Sequence, residues 1–212
     1  MIRQFDEHTA LLLIDVQKGV DDGAYYGTGK GDTLNNPASK DNIRALLDRA
    51  RVQGMTVAFT RHDSIEPNSP LKLSKESGQQ IAGLEIAPRD IQVSKSSNSG
   101  FIGTSLELDL RRAGILRLVV AGFFTNFCVE TTVRMAGNMG FDTYLVHDAC
   151  ATMPRKGLDG TLYDGDLVHN MALASMHGEF CTAITTAEAL ALFDGDAPHL
   201  ERVQGNETGT AR

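Results

Sequence analysis

The sequence predicts an α/β fold with three layers, in which helices cover both faces of a doubly wound, mainly parallel sheet of six strands. Two observations support this prediction: six short apolar runs rich in Val, Ile and Leu, and amphipathic helical patterns between most of them. Alternation of strand and helix is typical of parallel sheets, whose crossovers are usually helical. A length of 212 residues suits one such domain.

The predicted strands are short, continuous apolar segments, as expected when both faces of a sheet are covered by helices. In the first of them, four successive aliphatic residues at 11–14 are followed by Asp15. The six predicted strands span residues 10–16, 56–60, 91–94, 116–121, 143–147 and 181–185.

The predicted helices repeat apolar residues at helical spacing, as in Ile43, Leu46 and Leu47. Asp41 is the expected N-cap of that helix, and Gly54 follows its last turn. The five predicted helices span residues 41–53, 105–113, 128–138, 166–177 and 187–193.

The domain organisation follows from where these patterns stop. We expect a single domain over residues 1–194 and a polar tail without periodicity over residues 195–212. Two long loops, residues 18–40 and 61–89, interrupt the alternation of strand and helix. Long loops in a compact domain are usually lids or binding loops, so we expect both to border a functional site.

Charge and cysteine content exclude several partners. The formal net charge is −7, from 20 basic and 27 acidic residues, and the longest basic run is Arg111–Arg112. We therefore expect neither nucleic acid nor a membrane as a partner. Neither a signal peptide nor a transmembrane segment is evident. Three widely spaced cysteines favour neither a disulfide framework nor a metal cluster, and the expected location is the reducing cytoplasm.

Three reactive side chains follow predicted strands. Asp15 and Lys95 come directly after apolar strand residues, and Cys128 comes after the fourth strand and a short turn. Because ligands bind at the carboxyl ends of strands in open parallel sheets, we expect an acid, a cation and a thiol in one crevice.

Cys128 is the candidate nucleophile. It lies where a helix is predicted to begin, and the free N–H groups and dipole of a helix N-terminus lower thiol pKa. From position alone, a buried structural cysteine is an equally good interpretation. Cys150 and Cys181 are predicted to be small core residues.

Four stretches carry a family resemblance: residues 11–17, 93–101, 122–134 and 140–152. Together they resemble the isochorismatase-like hydrolases, a superfamily of cysteine hydrolases with a Rossmann-like sheet, over about residues 8–190. The resemblance implies a triad of Asp15, Lys95 and Cys128. It also implies a cis peptide bond at Phe123–Phe124 and an oxyanion site formed by the backbone N–H groups of Phe124 and Cys128. A homodimer or homotetramer is implied as well, in which a partner chain could complete the pocket through Tyr25 and Tyr26.

The same resemblance indicates the reaction. Isochorismatases proper, which cleave an enol ether, lack a cysteine at the position of Cys128. Its presence favours hydrolysis of an amide, carbamoyl or imide C–N bond of a small molecule through a thioester. Two alternatives stay open: a non-catalytic small-molecule-binding relative, and an enol-ether hydrolase of the isochorismatase type. A dinucleotide-binding or thiol redox protein is disfavoured, because the sequence has neither a glycine-rich phosphate loop nor a Cys-x-x-Cys pair.

We expect no metal and no other cofactor. Nicotinamidases, which resemble this fold, carry an Asp-x-His metal motif, whereas the matching region here reads Arg61-His62-Asp63. The candidates for substrate binding are Arg61, His62, Phe101, Asn126 and Tyr26. Structural roles are predicted for His169 and His177, near the other end of the sheet.

Overall fold

The computed structural model describes residues 2–196 and contains one large sheet and one small hairpin. The strands of the large sheet are β1 (Thr9–Ile14), β2 (Thr56–His62), β3 (Ile91–Lys95), β4 (Arg117–Phe123), β5 (Asp142–Ala151) and β8 (Thr182–Ile184). The hairpin consists of β6 (Arg155–Lys156) and β7 (Leu162–Tyr163), which pair antiparallel.

The large sheet has the order β3-β2-β1-β4-β5-β8, and every pair of neighbours is parallel. The chain builds outward from β1 to β3 on one side and then returns to place β4 on the other side of β1. This change of direction creates a crevice at the carboxyl ends of β1 and β4, where α/β proteins bind ligands. The predicted three-layer, doubly wound parallel sheet is confirmed.

Six α-helices are described: α1 (Gly23–Tyr26), α2 (Ser39–Val52), α3 (Leu106–Arg112), α4 (Glu130–Asn138), α5 (Gly165–Met176) and α6 (Thr186–Asp194). A π-helical turn, Thr125–Val129, precedes α4, and short 3-10 turns lie at Lys18–Asp21 and Glu76–Gly78. The two long loops predicted from the sequence therefore contain α1 and both 3-10 turns. Within the described residues, no helix is both long and apolar enough to span a lipid bilayer.

The core lies in two layers because β1 side chains alternate between the faces of the sheet. Leu11 and Leu13 pack in the layer that holds the apolar side of α2 and α6. Leu12 and Ile14 pack in the opposite layer, with α3, α4 and α5. All six residues of β1 are buried, so the central strand rigidly supports the residue that follows it.

Two details of the sequence prediction need correction. The N-cap of α2 is Ala38, because the helix begins earlier than predicted, and Asp41 lies in its first turn paired with Arg44 at 2.9 Å. The hairpin of β6 and β7 was not predicted. Of the predicted tail, residues 195–212, only Gly195 and Asp196 are described, and the rest lies outside the described residues.

Candidate active site

Asp15 follows β1 at the crevice and is fully buried. Its backbone turns into the left-handed region, with φ at 53°, which is rare for a residue other than glycine. The carboxylate accepts hydrogen bonds from Thr60 Oγ1 at 2.7 Å and from Lys95 Nζ at 2.6 Å. The end of β1 thus fixes an acid at the edge of the sheet, and β2 and β3 supply its two partners.

Lys95 is the last residue of β3, and its ammonium group is enclosed. Nζ contacts Asp15 Oδ2 at 2.6 Å, His62 Nδ1 at 3.0 Å and the Ser97 carbonyl oxygen at 3.2 Å. Burial lowers the pKa of Lys95, but the charge of Asp15 and its hydrogen bond to Nζ more than compensate, so the pKa is raised overall. The ammonium ion therefore persists in the buried site as a partner for the carboxylate.

The turn after β4 positions the third reactive group. Gly122 pairs with Ile14 across the sheet, and a Cβ atom there would lie 2.1 Å from the Ile14 carbonyl oxygen. Its φ of 135° also disfavours any other residue. One residue further on, the Phe123–Phe124 peptide bond is cis, which confirms that expectation from the family resemblance. The π-helical turn follows and carries Cys128 inward.

Cys128 is buried beside the acid and the imidazole of His62. Its Sγ atom lies 3.9 Å from His62 Nδ1 and 3.7 Å from Asn98 Oδ1, and Asp15 offers a carboxylate oxygen within 4.8 Å. Burial and the Asp15 carboxylate raise the pKa of the thiol, although Lys95 opposes them. The lowered pKa expected from a helix N-terminus is therefore wrong, because desolvation outweighs the favourable charges.

A cavity of about 260 Å³ opens onto Cys128. Its lining combines mainly aromatic and aliphatic side chains with the imidazole of His62 and the amide of Asn98, and consists of Tyr26, His62, Leu71, Asn98, Phe124, Phe127 and Cys128. The pKa of Tyr26 is raised to about 12, chiefly by burial, so this phenol stays protonated at neutral pH. A space of this size admits only a small substrate.

Three of the five predicted substrate-binding residues do not line this cavity. Arg61 donates from Nη2 to Gln79 Oε1 at 3.3 Å, because its side chain points toward the 61–89 loop. Phe101 stacks on Phe141 with ring centroids 5.9 Å apart and belongs to the core. Asn126 lies two residues before Cys128 in the same π-helical turn, and its side chain accepts a hydrogen bond from Thr152 Oγ1. Tyr26 and His62 do lie on the cavity wall.

Other site residues were missed or placed differently by the sequence prediction. Asn98 lies in a polar loop after β3, where no hydrophobic pattern marks it, and Thr60 reads as an ordinary strand residue. Gln17 holds both backbone groups of His62: His62 N donates to its Oε1 at 2.7 Å, and its Nε2 donates to the His62 carbonyl at 3.0 Å. His169 is near the crevice rather than the sheet's other end, since its Nδ1 lies 2.8 Å from Thr125 Oγ1.

Asp15, His62 and Cys128 present ligand atoms within 4.8 Å of one another, a spacing and set of donors that zinc accepts. However, Lys95 Nζ contacts both Asp15 and His62. A divalent cation at this point would meet the ammonium charge at close range. The donor set therefore does not fit a metal ion while Lys95 keeps these contacts.

A second, larger cavity of about 530 Å³ is lined by residues of α5, of the π-helical turn and α4, and of the hairpin, and it does not include Cys128. We call it the α5 groove, and it is lined by Asn126, Glu130, Arg155, Tyr163, Leu167, Val168, Met171, Ala172 and Ser175. Most of its surface is apolar, and none of its lining residues belongs to the group at Asp15.

The family model and the curated relatives that match this chain point to the same family. The model of the isochorismatase domain matches residues 9–188. The isochorismatase family protein YrdC of Bacillus subtilis is 40% identical over 187 residues, covering 87% of this chain and 96% of YrdC. The ureidoacrylate amidohydrolase RutB of Rhizobium rhizogenes is 30% identical, covering 66% of this chain and 69% of RutB. The streptothricin hydrolase of Streptomyces noursei is 34% identical, covering 68% of this chain and 49% of that enzyme.

Solved structures agree with this match. A hydrolase of the isochorismatase family from Chromobacterium violaceum superposes with a TM-score of 0.83 at 38% identity, covering 90% of this chain and 96% of that one. A cysteine hydrolase from Pseudomonas syringae pv. phaseolicola superposes with a TM-score of 0.76 at 25% identity, covering 89% of this chain and 93% of that one.

Proposed function

The chain belongs to the isochorismatase family of hydrolases, and we propose that within this family it is a cysteine-dependent amidohydrolase acting on a small molecule. Cys128 is the nucleophile, Asp15 moves the protons, and Lys95 holds the charge of Asp15. One observation carries the proposal: an acid, a cation and a thiol from three strand ends converge beside a cavity of about 260 Å³.

The first half of the reaction forms a thioester. Because the pKa of the thiol is raised, Cys128 is protonated at rest and needs a base at the moment of attack. Asp15 accepts the Sγ proton while sulfur bonds to the substrate carbonyl carbon. The oxyanion is stabilised by the backbone N–H groups of Phe124 and Cys128. The C–N bond then breaks, and Asp15 returns the proton to the leaving nitrogen.

The second half regenerates the enzyme. Water enters after the amine leaves, gives a proton to Asp15 and bonds to the thioester carbonyl carbon. Collapse of this intermediate breaks the C–S bond and releases a carboxylic acid, and the proton on Asp15 returns to sulfur. Lys95 keeps three contacts throughout, which holds the carboxylate in the orientation that both proton transfers require.

The choice of a C–N bond has two supports. A thiol nucleophile suits acyl transfer, in which a thioester intermediate splits one difficult step into two. Two relatives, RutB and the streptothricin hydrolase, bear the names of hydrolases, and the first is named an amidohydrolase. The aromatic cavity wall and its volume favour a compact substrate with an apolar portion.

The test is incubation with a panel of small amides, carbamoyl compounds and imides, followed by product analysis and intact-mass measurement. We expect turnover of at least one compound and a mass increase equal to its acyl part. Cys128→Ala should show neither, and Cys150→Ala, which removes a different buried thiol, should behave as the unmodified protein. An acyl adduct that persists in Cys128→Ala would contradict the proposal.

A further inference from the structure

The ammonium group of Lys95 has no free hydrogen-bond donor. An ammonium ion carries three N–H groups and no acceptor. Three acceptors surround Nζ at 2.6, 3.0 and 3.2 Å: Asp15 Oδ2, His62 Nδ1 and the Ser97 carbonyl oxygen. Lys95 therefore cannot donate to a substrate unless one of these contacts breaks.

This arrangement determines where His62 carries its proton. Because Lys95 donates to Nδ1, that nitrogen must present its lone pair, and the proton of the neutral ring lies on Nε2. A proton on Nδ1 would be directed at the ammonium group, whose Nζ atom lies 3.0 Å from Nδ1. The ring is also held in place from behind, since Gln17 bonds to both backbone groups of His62.

The Nε2 atom of His62 is available to a ligand. Its side chain is 12% exposed and lines the cavity that opens onto Cys128. Among residues 2–196, Nε2 has no hydrogen-bond partner, whereas Nδ1 lies near Lys95, Asp15 and Cys128. Nε2–H is therefore the one ring donor left for a ligand, on a side chain of fixed orientation that lines the cavity.

We propose that His62 is a substrate-binding residue that selects for a second hydrogen-bond acceptor beside the bond that is cleaved. Its Nε2–H donates to that acceptor, an oxygen of a carbonyl, imide or ureido group, while its Nδ1 holds Lys95 against Asp15. The inference rests on the proposed amidohydrolase function and extends it to a substrate class: amides with a neighbouring acceptor rather than simple monoamides.

Two substitutions test the roles of Nδ1 and Nε2 of His62 separately. His62→Asn places an oxygen near the position of Nδ1 and preserves the contact with Lys95, but it removes the donor at Nε2. His62→Gln reaches the position of Nε2 and can supply an N–H there. We expect His62→Asn to lower kcat/KM about 10- to 100-fold for an imide, mainly through KM, and His62→Gln to recover part of the loss.

The substrate panel tests selectivity directly. An imide and the matched monoamide that lacks its second carbonyl should differ in kcat/KM with the unmodified protein, and this difference should shrink in His62→Asn. His8→Asn, an exposed histidine before β1, is the control and should change neither value. Equal loss on both substrates would mean that Nε2 of His62 does not discriminate between them, and this would overturn the selectivity.

Nitrogen-15 NMR of histidine-labelled protein tests the tautomer without any substrate. The signals that disappear in His62→Gln should belong to a neutral ring protonated at Nε2. Protonation at Nδ1 would overturn the proposal whatever the enzyme hydrolyses. If the unmodified protein cleaves no amide yet shows the Nε2–H tautomer, the amidohydrolase function fails and the arrangement of His62 stands. If it cleaves imides and His62→Asn is unchanged, only the role of His62 fails.

Discussion

The cavity at Cys128 and the α5 groove differ in both size and chemistry. The groove is larger, about 530 against 260 Å³, and it is mainly apolar. The smaller cavity borders a buried acid, cation and thiol. The hydrogen-bonding groups of the acid and the cation are mostly paired with other groups of the protein. Volume alone would identify the groove as the active site, whereas the convergence of titratable groups identifies the smaller cavity.

Helix α5 connects the two regions. Its inner side contributes His169, which contacts Thr125 in the turn that carries Cys128, at 2.8 Å. Its outer side presents Leu167 and Met171, which are 45% and 59% exposed. The comparison predicts that substitutions near Asp15 change chemistry and stability together, while substitutions in the groove leave the chemistry intact.

The largest effect is expected for Lys95→Met. The substitution keeps most of the side-chain volume but leaves the Asp15 carboxylate buried without its cation, which costs about 3–5 kcal/mol of unfolding free energy. Activity should fall on the order of 10³-fold, because the carboxylate loses its orientation and its countercharge. Urea unfolding and steady-state kinetics measure the two effects.

Asp15→Asn combined with Lys95→Met separates these roles. Removing both charges should restore much of the stability without restoring activity. Lys40→Met, which breaks an ion pair with Asp21 at the surface, is the matched control and should change stability by less than about 1 kcal/mol. Activity within twofold of normal in Lys95→Met would remove Lys95 from the catalytic group.

The fold was predictable because it depends on hydrophobic burial. The apolar runs at 10–16 and 116–121 lie at the centre of the sheet, where both faces are covered, so their composition is unambiguous. The hairpin of β6 and β7 was missed because its two-residue strands carry exposed Leu162 and Tyr163, which give no alternating pattern.

The site was predictable only in part. Asp15, Lys95 and Cys128 stand out because each interrupts or follows an apolar run. Arg61 and His62 are adjacent at the end of β2, yet successive strand residues point to opposite sides, and only His62 reaches the cavity. Asn98 and Leu71 come from loops whose path depends on tertiary contacts, which the sequence pattern does not specify.

A smaller effect on the unfolding free energy is expected from a change in pH. Burial lowers the pKa of His62 and His169 below the ordinary value of 6.5, with Lys95 adding to the first and His147 to the second. Below pH 6.5 the unfolded chain therefore binds protons that the folded protein does not, and the unfolding free energy decreases. Well above pH 6.5 both rings are neutral in either state, and this contribution to stability is complete.

Unfolding at a series of pH values tests this expectation. His169→Gln should reduce the slope of unfolding free energy against pH below 6.5 by at most about 1.4 kcal/mol per pH unit. A slope that His169→Gln does not alter would mean that this ring accepts a proton in the folded state as easily as in the unfolded one.

Substitutions in the α5 groove should change the oligomeric assembly of the protein rather than its catalytic activity. We propose that a second copy of the chain covers it, because the groove is mainly apolar and the hairpin beside it presents the fully exposed apolar side chain of Leu158. Leu167→Asp with Met171→Asp should therefore lower the mass measured by light scattering and keep kcat/KM within about twofold. An unchanged mass would remove the groove from the subunit contact.

The smallest effect, none, is expected from chelators. Asp15, His62 and Cys128 are close enough to hold a metal ion, but Lys95 already contacts Asp15 and His62 and supplies the positive charge there. Prolonged treatment with EDTA or phenanthroline should leave kcat/KM unchanged. Loss of activity that zinc restores would require Lys95 to withdraw from both partners, and Lys95→Met would then bind zinc more tightly than the unmodified protein. Equal zinc affinity in the two proteins would instead place the ion elsewhere and leave the ammonium group as the cation of the site.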